Sequence, residues 1–174
     1  RFFMFAWAAP LTVFEVAGSS RVIDGKLYVL SGSSAALSVS DALSGVKEIS
    51  YTLDGATATA VSPLMLTVVA GEHTLAFYSA DNAGNAEAEK SVTFFVDVEA
   101  PFTTAALAGV YSNGLYVSSV TLTFIRGDVL SCILETRYSL DNGAFLVYLS
   151  SFTVQEDGPH TVAFYSVDGA GNTE

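Results

Sequence analysis

Two histidines and a scattering of carboxylates are the side chains of this 174-residue chain with chemistry to offer. His73 opens the stretch His73-Thr-Leu-Ala-Phe-Tyr-Ser-Ala-Asp-Asn-Ala-Gly-Asn85, and His160 opens His160-Thr-Val-Ala-Phe-Tyr-Ser-Val-Asp-Gly-Ala-Gly-Asn172. A histidine serves as a general base only beside a nucleophile and an orienting acid, and these two hold equivalent places in a repeat of constant offset, 87 residues (160 − 73). Equivalence under a repeat argues for a structural role in both copies. No nucleophile, base and orienting acid converge in the sequence, so catalytic residues are not expected and the chain reads as a non-enzyme.

The carboxylates and amides of the turn are hard oxygen donors of the kind calcium takes. Asp81, Asn82 and Asn85 belong to it, with Asp97 and Glu99 a short way beyond. Calcium requires about six to eight such oxygens, which one or two carboxylates do not supply by themselves. The competing role for Asp81 and Asn85 is to cap turn amides through their own side chains. Apart from calcium, no cofactor is implied. Arg126-Gly127-Asp128 spells an integrin-type tripeptide, without supporting context. Tyr28, Tyr111, Tyr116 and Tyr148 are the residues from which a sugar-stacking surface would be built, although alternating aromatics in strands more often pack inward.

The elements that position these residues are strands. Short alternating runs of β-branched and aromatic residues are punctuated by Gly, Asn, Asp and Ser, the spacing of an all-β sandwich. Seven strands are predicted in the first half, near 12–16, 26–30, 35–39, 46–53, 64–69, 74–80 and 91–96. Asp54-Gly55 directly follows Tyr51-Thr-Leu53 and marks a two-residue hairpin. The second half repeats the plan: Leu115-Tyr-Val117 answers Leu27-Tyr-Val29, Tyr138-Ser-Leu-Asp141 answers Tyr51-Thr-Leu-Asp54, and Pro101 answers Pro10. The expected organisation is therefore a sandwich over 10–96, a short acidic linker over 97–101 that ends in proline and should be stiff, and a second sandwich over 102–174.

Residues 1–9 fit this scheme in two ways. Ala6-Trp7-Ala8 has the small-x-small pattern of a signal-peptide cleavage site. Aligning Pro10 with Pro101 instead places Phe2-Phe-Met-Phe5 over Thr93-Phe-Phe-Val96, so that residues 1–9 match the last strand and linker of a preceding repeat. The second unit, conversely, is expected to lack its last strand. Two explanations follow: a window cut from a longer tandem array, or strand donation, in which Phe2, Phe3, Met4, Phe5 and Trp7 complete the second unit of a neighbouring copy.

Composition narrows the partners. A net charge of −11 with 7 Lys and Arg excludes the cation clusters that nucleic acid or an acidic lipid surface requires. Hydrophobic residues make up 51% and mean hydropathy is +0.45, more apolar surface than two small sandwiches can readily hide. Self-assembly with identical chains is the expected outlet for it. No apolar run is long enough for a transmembrane helix, and Cys132, the single cysteine, forms no internal disulfide.

Both units resemble the OmpL47-type repeat, a bacterial and archaeal immunoglobulin-like module found in tandem in secreted and cell-surface proteins. The likeness is carried by Tyr-Ser-Leu-Asp-Asn-Gly-Ala and by the stretch from His160 through Asp-x-Ala-Gly-Asn-Thr-Glu174. It implies an all-β fold of two tandem immunoglobulin-like β-sandwich domains, an extracellular or cell-surface location, and calcium at domain junctions as in related adhesin repeats. A departure lies at 126–133, where Arg126-Gly-Asp-Val-Leu-Ser-Cys-Ile133 replaces the pattern kept by Ser40-Asp-Ala-Leu-Ser-Gly-Val46, so this loop is expected to be degraded or specialised. The functional expectation is a stalk, surface layer or filament; its rival is an adhesin or a carbohydrate-binding accessory module.

Overall fold

The structure, a computed structural model, describes residues 6–30 and 32–174. These contain strands and turns with no helix, and the chain divides into two compact units, Arg1–Asp97 and Val98–Glu174. Each is an immunoglobulin-like β-sandwich.

In the first unit one sheet has the order β1-β4-β7, formed by β1 (Leu11–Ala17), β4 (Ser34–Ser40) and β7 (Leu64–Met65). The facing sheet has six strands in the order β2-β3-β9-β8-β5-β6. They are β2 (Ser20–Ile23), β3 (Lys26–Val29), β5 (Val46–Leu53), β6 (Ala56–Ala60), β8 (Gly71–Asp81) and β9 (Lys90–Val96). The core between the sheets is built from Val29, Leu37, Ile49, Leu75, Phe77 and Phe94, all buried. The repeated stretch is the clearest case of sequence dictating structure. Along β8, His73, Leu75, Phe77, Ser79 and Asp81 are buried at a strict period of two, as the pleat requires. Its inward face is thus apolar at the centre and polar at both ends.

β9 lies inside the six-stranded sheet, not on its edge. It pairs antiparallel with β8, Phe94 opposite His73 and Val96 opposite Gly71, and parallel with β3, Phe94 opposite Leu27 and Val96 opposite Val29. The expected hairpin at Asp54-Gly55 is formed: Leu53 pairs with Ala56, and both turn residues have positive φ, 51° and 85°.

The second unit keeps this plan with one position open. β10 (Phe102–Ala108), β13 (Val120–Gly127) and β16 (Phe152–Val154) form the first sheet, and β14 (Ile133–Leu140), β15 (Leu146–Val147) and β17 (Val162–Asp168) form part of the second, in the order β15-β14-β17. The hairpin of β11 (Tyr111–Ser112) and β12 (Leu115–Tyr116), which answers β2 and β3, stands as a separate two-stranded sheet. Among the described residues no strand of this unit occupies the place that β9 holds in the first. The core is aromatic: Phe124 packs against Phe164 and Tyr148, each at 4.8 Å between ring centroids, and Tyr138 stacks on Phe152 at 4.3 Å.

Candidate functional site: an open strand position in the second unit

Four polar constellations recur in both units and fix the frame around the repeated strand. In the first, an aspartate holds the histidine. His73 Nδ1 lies 2.7 Å from Asp54 Oδ2 and its Nε2 2.8 Å from the Val69 carbonyl, while the Thr74 amide donates to Asp54 Oδ1. The counterpart is His160, 2.8 Å from Asp141 Oδ2 and 2.9 Å from the Glu156 carbonyl, with the Thr161 amide on Asp141 Oδ1. Both ring nitrogens of each histidine face oxygen acceptors, so neither offers a lone pair to a substrate. The pairs clamp the turn after β5 or β14 to the start of the repeated stretch.

For His160 this geometry sets a pH dependence. The Asp141 carboxylate and then the Glu156 carbonyl hold its pKa above the ordinary 6.5, and the hydrogen bond from His160 holds Asp141 below its ordinary 3.8. A raised histidine pKa contributes stability that is complete below pH 6.5 and lost as pH rises through the raised value; the lowered aspartate pKa contributes stability above pH 3.8 that is lost on acidification. The clamp is therefore strongest between those limits. Melting followed from about pH 5 to about pH 9 is expected to show a falling midpoint in the wild type and a flatter profile in His160→Gln.

The second constellation is the turn itself. Asp81 Oδ1 accepts the amides of Ala83 and Asn85, and its Oδ2 accepts Asn85 Nδ2. Asp168 repeats this with the Asn172 amide and Nδ2. Of the calcium candidates, Asp81 and Asn85 are thus engaged in capping, and Asn82 Nδ2 donates to the carbonyls of Ser44 and Gly45. Asn85 also donates to the Ala6 carbonyl. Asp97 is buried and Glu99 exposed.

The third constellation corrects the expectation for 126–133. Asp41 Oδ1 accepts the amides of Leu43, Ser44 and Gly45; Asp128 Oδ1 accepts those of Leu130, Ser131 and Cys132. The loop is the same in both units, with Cys132 (φ 64°) taking the positive φ that Gly45 (φ 75°) provides in the first. The loop is therefore not degraded. The Arg-Gly-Asp tripeptide is absorbed in it: Arg126 lies over the Tyr148 ring at 5.1 Å, and Asp128 is occupied by the loop amides. Carboxylate oxygens of Asp128 and Asp168 lie within 4.8 Å of one another, and Asp128 Oδ2 is buried without a partner.

In the fourth constellation a glutamate joins the two sheets. Glu87 accepts the amides of Thr12 and Ser79, the Ser79 hydroxyl and Lys90 Nζ, so that β1 and β8 share one carboxylate. Glu174 bridges the amides of Thr103 and Ser166 in the same way. The sequence reading missed Asp41, Asp54 and Glu87 as anchors. Each has an acidic partner 87 residues on, Asp128, Asp141 and Glu174, and that shared offset was the available signal.

What differs between the units is the strand position between β12 and β17. In the first unit Tyr28 and Val29, on the strand paired with β9, are 3% and 2% exposed; their counterparts Tyr116 and Val117 are 37% and 63% exposed. The His73 side chain is 6% exposed and that of His160 22%. Residues 71–74 are strand in the first unit because β9 pairs with them, whereas 158–161, with no such partner, lie outside any strand. The result is a groove of about 710 Å³ lined by Ala105, Leu115, Val117, His160, Val162 and Phe164, among others.

Of the assembly candidates, Phe2, Phe3, Met4 and Phe5 lie outside the described residues, and Trp7 is 80% exposed. The four tyrosines form no coplanar row: Tyr28 and Tyr148 are buried, and Tyr111 and Tyr116 meet edge to face at 66°. No helix among the described residues is long and apolar enough to cross a membrane.

No family model matches the chain, and no curated protein matches it. Among solved structures, it is similar to the fibronectin(III)-like modules of Clostridium thermocellum CbhA, at 11% identity and a TM-score of 0.47, covering 92% of this chain and 88% of that one.

Proposed function

We propose that the chain is a non-catalytic structural part of an extracellular or cell-surface assembly, in which tandem immunoglobulin-like units build a stalk, a surface layer or a filament through sheet pairing. The observation that carries this reading is the tandem repetition of one sandwich plan, with its histidine clamp, turn caps and inter-sheet glutamate present in both units. An edge strand such as β6 or β15 is a template for an added strand, with main-chain hydrogen bonds supplying affinity and alternate side chains supplying register. The duplication of every polar anchor supports a scaffold, since each recurs as a fastener within its own sandwich. The resemblance of both units to the OmpL47-type repeat supports the surface location.

Electron micrographs of the purified material test the reading. Regular filaments, rods or sheets are the expected result. Isolated single particles, together with retention on a polysaccharide column, would favour the adhesin or carbohydrate-binding alternative.

A further inference from the structure

One edge strand of the first unit is built to pair with its own copy, an inference that rests on the structural reading above. We infer that β6 is a self-association surface, pairing antiparallel with β6 of a second copy about a two-fold axis at Ala58. β6 ends the six-stranded sheet, with β5 as its neighbour, and Ala56 to Thr59 are exposed. Sheet edges are ordinarily blunted by charge, proline or brevity. In the same unit β1 and β2 carry Glu15 and Arg21, and β7 has two residues. β6, Ala56-Thr-Ala-Thr-Ala60, has none of these protections, and it lies in a run, 55–71, without a charged residue. Two chains of net charge −11 repel each other, so a neutral edge is where they can approach closely.

The strand reads the same in both directions. Antiparallel pairing with itself therefore sets like against like at every position, Ala56 with Ala60, Thr57 with Thr59 and Ala58 with Ala58, the self-complementarity that a two-fold contact requires. The backbone is in phase with this register. Leu53 and Ala56 close a two-residue hairpin as a hydrogen-bonded pair, so Ala56, Ala58 and Ala60 turn their amides and carbonyls toward β5, and Thr57 and Thr59 turn theirs outward. Each Thr57 would exchange backbone hydrogen bonds with Thr59 of the second copy, and Ala58 would meet its equivalent at the closer, non-bonded spacing that a methyl group suits. Alternation puts the threonines together on one face. Thr52 and Thr57 already meet there across β5 and β6, at 3.1 Å between their Oγ1 atoms, and the second copy would extend that hydroxyl ladder. β10, an uncharged edge of the second unit, lacks this property: paired with itself about Ala105 it would set Thr103 against Leu107.

The inference is tested on the full chain with Cys132→Ser in place. Ala58→Cys puts a cysteine opposite its own equivalent, within disulfide reach, and mild oxidation is expected to give a covalent dimer. Thr57→Cys is the control. Its two cysteines would lie diagonally across the axis, so cross-linking should be at least about tenfold slower. Thr59→Pro removes an outward amide and leaves the bonds to β5 in place. In sedimentation it should weaken self-association about thirtyfold, since the amide is lost from both copies.

Equal cross-linking of Ala58→Cys and Thr57→Cys would overturn the inference. Oligomers that persist undiminished in Thr59→Pro would also overturn it and leave the structural reading standing, since assembly would then use another edge such as β10. A wild type monomeric at every concentration would overturn it as well, leaving β6 to a strand of a different protein; micrographs of the native material then judge the structural reading by themselves.

Discussion

Phe94→Ala is expected to destabilise the first unit by about 4 kcal/mol. Phe94 is fully buried at the centre of β9, its ring 5.3 Å from Phe14 and 5.4 Å from His73, with Leu27 and His73 as its backbone neighbours on the two flanking strands. Truncation removes the transfer energy of the ring and leaves a cavity in a sandwich only two layers thick, so little collapse can relieve it. The measurement is urea unfolding, read as the midpoint of the first unit's transition. Phe94→Leu, which keeps most of the volume, should cost about 1 to 1.5 kcal/mol. A loss below about 1 kcal/mol for Phe94→Ala would contradict the packing described.

Glu87→Ala is expected to cost about 3 kcal/mol. Its side chain is largely buried, and the substitution would leave the Thr12 and Ser79 amides, the Ser79 hydroxyl and Lys90 Nζ without their acceptor. Burial by itself would raise the Glu87 pKa; the bonds from Lys90, Thr12 and Ser79 outweigh it and hold the group below its ordinary 4.5. The sign follows from linkage: the contribution is complete above pH 4.5 and is lost as pH falls through the lowered value. Glu87→Gln separates charge from shape. Its deficit against the wild type, measured by thermal melting, should be largest near neutral pH and shrink on acidification, because the wild-type carboxyl then becomes neutral too.

Much of the architecture was legible because the chain states it twice. The period-two burial of His73, Leu75, Phe77, Ser79 and Asp81 follows from the alternation of the repeated stretch, and Asp54-Gly55 specified its hairpin. Two strands escaped. β6 is Ala56-Thr-Ala-Thr-Ala60, whose small side chains carry little apolar contrast, and it is held by pairing with β5 alone. β2, reached through Asp24-Gly25, is a four-residue strand whose partner is β3. Local propensity is a poor guide to strands that exist because a neighbour pairs with them.

The site was less legible for a related reason. A groove is defined by a missing neighbour, and no residue type announces it; the exposure of Val117 was visible only against its counterpart Val29. The turn carboxylates looked like donors for an ion because ion ligands and amide caps are the same residue types, and distances alone place Asp81 and Asn85 in capping. The loop at 126–133 looked divergent because Cys132 stands where Gly45 does, yet Asp128 makes the bonds that Asp41 makes.

The central placement of β9 has a mechanical consequence. β9 leads directly into Asp97 and is bonded on both long sides, to β8 and to β3. Tension applied to the chain at that point runs along the strand, at right angles to the ladder bonds with β8. Those bonds are loaded in shear and must fail together, whereas a hairpin pulled from its open end unzips one bond at a time.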